Sequence, residues 1–201
     1  MKFFRLTTIV LLGSLAFGLL LAACGGPPSP TPAASTQIKF KQLPHGFVGL
    51  IAGSEAFMGL SLDGTNLVAY ICDGTPPEGK STQEIIAPAK EITIAAWFNG
   101  QVLADAFDLT STSGAPSGIR LTGKFVGDTV SGTIKLADNR ELSFIATRAS
   151  SEKAGLYRAD EVAIDGEKWA AGTIVLNDGK LHGALTKGNT VKPFTNPVIG
   201  I

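Results

Sequence analysis

The sequence predicts an all-β domain, an antiparallel meander that closes into a small barrel or a strongly coiled sandwich of about nine or ten strands. Three observations carry this expectation. From Ile38 onward the apolar residues recur at every second position instead of every 3.6. Turn-forming dipeptides punctuate the apolar runs. One strand–turn–strand string also recurs along the chain, which points to a single hairpin solution used more than once.

Ahead of the domain, residues 1–23 read as a secretory leader. Lys2 and Arg5 supply positive charge, and Ile9 to Leu21 is a mostly apolar run of 13 residues. A membrane-crossing helix needs about 20. The run ends in Leu21-Ala22-Ala23-Cys24-Gly25, which resembles the lipobox of bacterial lipoproteins. The resemblance implies cleavage before Cys24, diacylation of its thiol and, usually, acylation of the new amino terminus, so Cys24 is the expected lipid-attachment residue. Two or three chains give a firm anchor, because each buried CH₂ contributes about 0.8 kcal/mol and one chain alone is marginal. Gly25 stands where the inner-membrane retention signal of that family has aspartate. The implied location is therefore an outward-facing, lipid-anchored one, on the outer membrane of a two-membrane bacterium or the outer face of a single membrane. Residues 24–37 form the tether. Alternating prolines from Pro27 to Pro32 favour extended polyproline II, which at about 3.1 Å per residue spans roughly 30–40 Å.

Residues 38–201 are the expected exported domain. Thr129 to Leu136 alternates without error, with Val130, Gly132, Ile134 and Leu136 on one face; Ile119, Leu121, Gly123 and Phe125 repeat the arrangement, as do Leu142, Phe144 and Ala146. Such strands are half buried with one wet face. The turns are marked by Asp63-Gly64, Asp73-Gly74, Asn99-Gly100, Gly127-Asp128, Asp138-Asn139, Asp165-Gly166 and Asp178-Gly179. The string from Gly132 to Arg140 recurs 40 residues later from Gly172 to Lys180, with a looser copy from Gly59 to Gly64. Gly123, Gly132 and Gly172 fall at inward positions, where a strand can bend sharply. Three segments break the meander: Gly74 to Glu91, where Ser81-Thr82-Gln83-Glu84 can cap one helical turn before Pro88; the small-residue stretch Thr110 to Gly118; and an irregular tail from Gly188 to Ile201.

The charge balance narrows the function classes. The chain carries 17 basic and 17 acidic side chains, and loss of the leader with Lys2 and Arg5 leaves 15 against 17. That balance does not suit a nucleic-acid binder, which needs a basic patch to displace counterions. No metal-ligating cluster or calcium-loop pattern is present in the sequence, and no cofactor is expected. Gly74 to Ser81 matches G-x-x-x-x-G-K-S, but Pro76 and Pro77 lack the N–H groups that a phosphate-cradling loop must supply. His45 and His182 read as loop residues with no serine elbow beside them. Ser150-Ser151-Glu152-Lys153 matches S-x-x-K in a polar loop, where the lysine is too solvated to act as base.

Six aspartates (Asp63, Asp73, Asp128, Asp138, Asp165 and Asp178) are accounted for by turns. Asp105 with Asp108, or Asp160 with Glu161, remain as paired acids, and general acid–base work would require one of each pair in an apolar pocket. Cys72 ends Leu67-Val68-Ala69-Tyr70-Ile71-Cys72, a run apolar on both faces that reads as a central strand with a buried thiol. Tyr70-Ile71-Cys72-Asp73-Gly74 is similar to the Tyr-x-Cys stretch of bacterial lysozyme-inhibitor lipoproteins, small barrels on comparable tethers, although the second cysteine of that family is missing. The strings Ala69 to Gly74 and Ala154 to Ala159 also resemble exported bacterial domains of unassigned function.

The expectation is therefore a membrane-anchored, non-catalytic β-domain that binds a surface protein, a glycan or a small apolar ligand. Trp97, Asn99, Arg158 and Trp169, all near turns, are the candidate binding residues, because aromatics beside loops stack on sugars or anchor partners. The alternatives are an envelope hydrolase using carboxylates such as Asp105 or Asp160, and an inhibitor of a wall-degrading enzyme that presents Gly74 to Glu91.

Overall fold

The computed structural model describes residues 38–74 and 91–194, and among them no segment is helical. Thirteen strands form two bodies of sheet. Eight close on themselves as a barrel: β2 (Gly46–Ile51), β3 (Phe57–Asp63), β4 (Asn66–Cys72), β5 (Ala95–Gln101), β6 (Ala106–Ala115), β7 (Arg120–Val126), β8 (Thr129–Lys135) and β9 (Glu141–Arg148). Every neighbour is antiparallel, and β2 pairs with β9 to complete the ring. The other five make a second sheet in the order β1 (Lys41–Gln42), β10 (Gly155–Ile164), β11 (Glu167–Val175), β12 (Leu181–Lys187) and β13 (Thr190–Lys192).

Alternation decides what fills the barrel. Leu121 of β7, Val130 and Ile134 of β8 and Phe144 and Ala146 of β9 all point inward and are buried, as the pattern predicts. With Phe47, Met58, Leu60, Leu67, Phe98 and Phe107 they form one continuous cluster. An eight-stranded barrel is just wide enough for its own side chains. The middle of this one is packed, not hollow.

β4 is apolar on both faces because both faces are covered. Leu67, Ala69 and Ile71 join the barrel interior, while Tyr70 and Cys72 join a second cluster with Trp97, Leu156, Ile174 and Ala184. That second cluster is the seam between barrel wall and second sheet. Along β12, His182 stacks on Phe57 of β3, and beyond its end Gly188 accepts a hydrogen bond from Gly114 of β6. The second sheet therefore crosses the barrel strands instead of running with them. A side chain at Gly172 would place its Cβ 2.6 Å from Trp97 and 2.7 Å from Tyr70, so only glycine allows this close approach. The far face of the second sheet buries Trp169, Ala171 and Leu185 under Ile38, Phe40 and Phe194.

The repeated string is one hairpin built twice. In the β8–β9 turn, Leu136 N–H donates to Arg140 C=O (2.9 Å), Asn139 N–H to Leu136 C=O (3.0 Å) and Arg140 N–H to Asp138 Oδ1 (3.0 Å). In the β11–β12 turn, Leu176, Gly179, Lys180 and Asp178 make the same three bonds at 2.8, 3.0 and 3.0 Å. Asn139 and Gly179 both take positive φ, 66° and 84°. The looser copy differs, since Asp63 and Asn66 flank a two-residue turn.

Several local expectations are corrected. Among the described residues there are thirteen strands instead of nine or ten, partly because the edge strands β1 and β13 are only two and three residues long and carry no readable period. Thr110 to Ala115 is strand, not loop; small side chains let β6 bend at an irregularity opposite Trp97 and Phe98. Asn99-Gly100 lies inside β5, with Leu109 occupying the space beside Gly100. The tail contributes β13 and the buried Phe194, while 195–201 lie outside the described residues, as does 75–90 with its expected helical turn.

Candidate functional site

Two of the four candidate binding residues, Trp97 and Arg158, meet, though not as an open aromatic platform. Trp97 is only 1% exposed: Tyr70 stacks on its ring at 4.3 Å and the Arg158 guanidinium lies over it at 4.6 Å. The expected stacking role is corrected, because the second sheet crosses directly above β5 and covers the ring. Its Nε1 has no hydrogen-bond partner among the described residues. Arg158 is held by Asp160 (Nε to Oδ1, 2.8 Å), and Asn99, on the same outward face of β5 as Trp97, donates to Thr112 Oγ1 (2.9 Å). Trp169 sits apart on the far face of the second sheet, buried, with Lys192 Nζ 4.7 Å from its ring centre. Both tryptophans brace the packing of the second sheet. Cys24, the leader and the tether lie outside the described residues.

The paired acids do not converge. Asp108 is bonded to Arg120, which holds its carboxyl below the ordinary carboxylate range. Asp105 sits at positive φ in an exposed turn. Asp160 pairs with Arg158, and Glu161 with Lys168 at 2.7 Å. All four of these acids are exposed. Ser150 and Lys153 are exposed, and Ser151 Oγ serves only to accept from Ala154 N–H (3.1 Å). Of the glycine-lysine-serine string only Gly74 is described. His45 is an exposed turn residue. His182, in contrast to its reading as a loop residue, lies on β12, half-buried against Phe57 with Nδ1 3.3 Å from Cys72 C=O. The Cys72 thiol is fully buried, accepts from Gly74 N–H (3.2 Å), and is pushed up to about 12 by that burial. It is a packing group with little thiolate at neutral pH.

A concavity with a mainly apolar lining lies at one end of the barrel. Its apolar lining is Ile51, Ala56, Ile94, Pro116, Leu136 and Leu142, and it encloses about 430 Å³. Four connections meet here: 52–56, 73–94, 116–119 and 136–140. Asp73 fixes one side. Its carboxylate accepts from Thr93 N–H (3.1 Å), Thr93 Oγ1 (2.5 Å) and Ile94 N–H (3.1 Å), so it holds residues twenty positions away, not its own turn. Charge is confined to Asp73, Glu55 and the Asp138–Arg140 ion pair (2.6 Å). Sequence reasoning passes over these residues because apolar strand ends look like ordinary core. Only the adjacency of four connections makes them a lining.

Among the described residues, no three His, Cys, Asp or Glu side chains are grouped so as to hold a metal ion. In comparisons with known proteins, no family model, no curated protein and no solved structure matches this chain.

Proposed function

We propose that this chain is a lipid-anchored, non-catalytic binding module of the bacterial cell surface, and that its barrel-end cleft takes a small, mainly apolar ligand. The observation that carries the reading is the cleft itself. A hollow of about 430 Å³ with an apolar floor and charge gathered at a few points lies within the range of roughly 300–1,000 Å³ usual for ligand pockets, and barrel mouths are a common place for them. Affinity would come from removing apolar surface from water, at about 25 cal/mol per Å², and orientation from the Asp138–Arg140 pair. The anchor rests on the lipobox-like string ending in Cys24.

Titration with N-phenyl-1-naphthylamine, whose emission rises in apolar surroundings, tests the cleft. The wild type should show a saturable rise, and Leu142→Arg should weaken it at least tenfold in protein that circular dichroism shows to be folded. Absence of saturable binding in the wild type, or equal binding by both proteins, sinks the cleft reading. Metabolic labelling with an alkyne fatty acid tests the anchor separately: the wild type should be marked and Cys24→Ala should not.

A second reading, inhibition of a wall-degrading enzyme, is favoured by one feature. The ends of the segment Gly74 to Glu91 are pinned, by Asp73 to Thr93 and Ile94 and by Gly183 N–H to Gly74 C=O (2.7 Å). Such a stem suits a segment presented to an enzyme cleft. A lysozyme assay unchanged by a molar excess of the protein would remove this reading for that enzyme class.

A further inference from the structure

The arginines distinguish the cleft's mouth from the rest of the surface. Four are described, and each has a carboxylate partner. Arg120 donates both Nε and Nη2 to Asp108. Arg148 and Arg158 donate through Nε to Asp128 and Asp160 and lay their guanidiniums over Phe47 and Trp97, 4.9 and 4.6 Å from the ring centres. Arg140 does neither. Its Nε donates to Asp138 Oδ2 (2.6 Å), and its Nη1 and Nη2 groups make no hydrogen bond to any described residue. The side chain is 69% exposed and lines the cleft.

The other polar side chains of the lining are already engaged. Ser54 Oγ donates to Ile51 C=O (3.1 Å) and accepts from Ala56 N–H (3.2 Å). Thr93 Oγ1 donates to Asp73, and both Asp73 oxygens accept from backbone N–H groups as well. Asp138 receives Arg140 on each oxygen, the backbone N–H on Oδ1 and Nε on Oδ2. Glu55 has an interaction of its own. A guanidinium holds its N–H donors in a fixed plane, so those on the two Nη atoms are the unused side-chain donors here. Their outer edge matches the paired oxygens of a carboxylate or phosphate. A cationic head would compete with Arg140 for Asp138, or with backbone donors for Asp73. An oxyanion at the fork displaces only water.

The twin turn sharpens the assignment. It repeats the backbone bonds of this one but holds Lys180 on Asp178 (2.9 Å), and an ammonium has no planar edge. At the cleft, Leu136 opens the turn that carries Arg140, and Leu142 follows two positions later on the same side of the chain. Fork and apolar lining are therefore adjacent.

We infer that the cleft's ligand is an amphiphile with a two-oxygen anionic head, a carboxylate or a phosphate, whose oxygens accept from Nη1 and Nη2 of Arg140 while its tail lies on Leu136 and Leu142. The inference rests on the reading of the cleft as a binding site.

Four ligands with one tail test it: dodecanoate, dodecyl phosphate, dodecanol and dodecyltrimethylammonium. Dissociation constants are read from the methyl shifts of Leu136 and Leu142 in the full chain. The wild type should hold the better anion roughly fivefold more tightly than dodecanol, the size an exposed charged contact supplies, and the tighter of the two anions names the head. Arg140→Gln should bring that ratio below about two. Arg140→Lys, which copies the twin turn and so preserves the hairpin, should keep only part of it. Dodecanol or the ammonium bound as tightly as both anions overturns the inference, as does an undiminished ratio in either variant. Shifts with none of the four ligands sink the cleft reading itself, and the inference with it. Saturable shifts with dodecanol alone keep the cleft and reject the head.

Discussion

The two ends of the barrel are closed by different means. At one end the connections are short, spanning 64–65, 102–105 and 127–128, and Phe47, Phe107 and Phe125 fill the opening edge to face. At the other the connections have four residues or more, one of them running from 73 to 94, and the side chains that reach inward are aliphatic and line a hollow. Tight hairpins bring strand ends close enough for three aromatic rings to seal them. At the cleft end the strand ends are paired as well, Cys72 with Ala95 and Lys135 with Glu141, and aliphatic side chains stand there in place of rings. The comparison teaches that the hollow falls at the end where aliphatic side chains replace aromatic rings.

The largest expected effect falls on the plug. Phe107→Ala should cost about 4 kcal/mol by urea denaturation, the loss of a buried aromatic plus the cavity it leaves. Next comes the stem at the open end. Asp73→Ala leaves the Thr93 and Ile94 amides without their acceptor and should cost about 3 kcal/mol; because both residues line the cleft, apolar dye binding should weaken with it. Leu136→Ala should cost only about 2 kcal/mol by the same measurement, since it enlarges a hollow already present instead of opening a new one. A value equal to that of Phe107→Ala would break the comparison.

The smallest effect concerns acid. Asp138 and Asp178 are held below the ordinary value of 3.8, chiefly by hydrogen bonds from Arg140 and Lys180. A carboxyl depressed in the folded state stabilises the fold above its unfolded value, and that contribution is lost as pH falls through the depressed folded value. Asp138→Asn and Asp178→Asn should therefore be slightly less stable than wild type at pH 7, by equal amounts, and match it once acidified past that point. Both sites are exposed, so the differences will be small. Unequal losses, read from thermal midpoints across pH, would mean that Asp138 at the cleft has a partner its twin lacks.

Much of the barrel was legible in the sequence because its signal is local. The unbroken alternation of Thr129 to Leu136 and the two-faced apolar run of Leu67 to Cys72 each report burial directly, and the hairpin copies at Leu136 and Leu176 share every turn bond. The division into a closed barrel and a crossing sheet was not legible. Period two is the same in both bodies, and nothing between Arg148 and Gly155 announces a change of sheet. Trp97 and Trp169 misled for a related reason, since a tryptophan near a turn looks available until Arg158 or Phe194, from distant strands, is laid beside it. The cleft stayed hidden because Ile51, Ile94, Leu136 and Leu142 differ from core residues only in what faces them.

The account stands most directly on where a small apolar molecule binds. Methyl-labelled NMR of the protein titrated with dodecanoate reads both ends of the barrel at once. Shifts confined to Ile51, Ile94, Leu136 and Leu142 are the predicted result. Shifts centred instead on residues packed around Phe47 and Phe107, or none at saturating ligand, would contradict it.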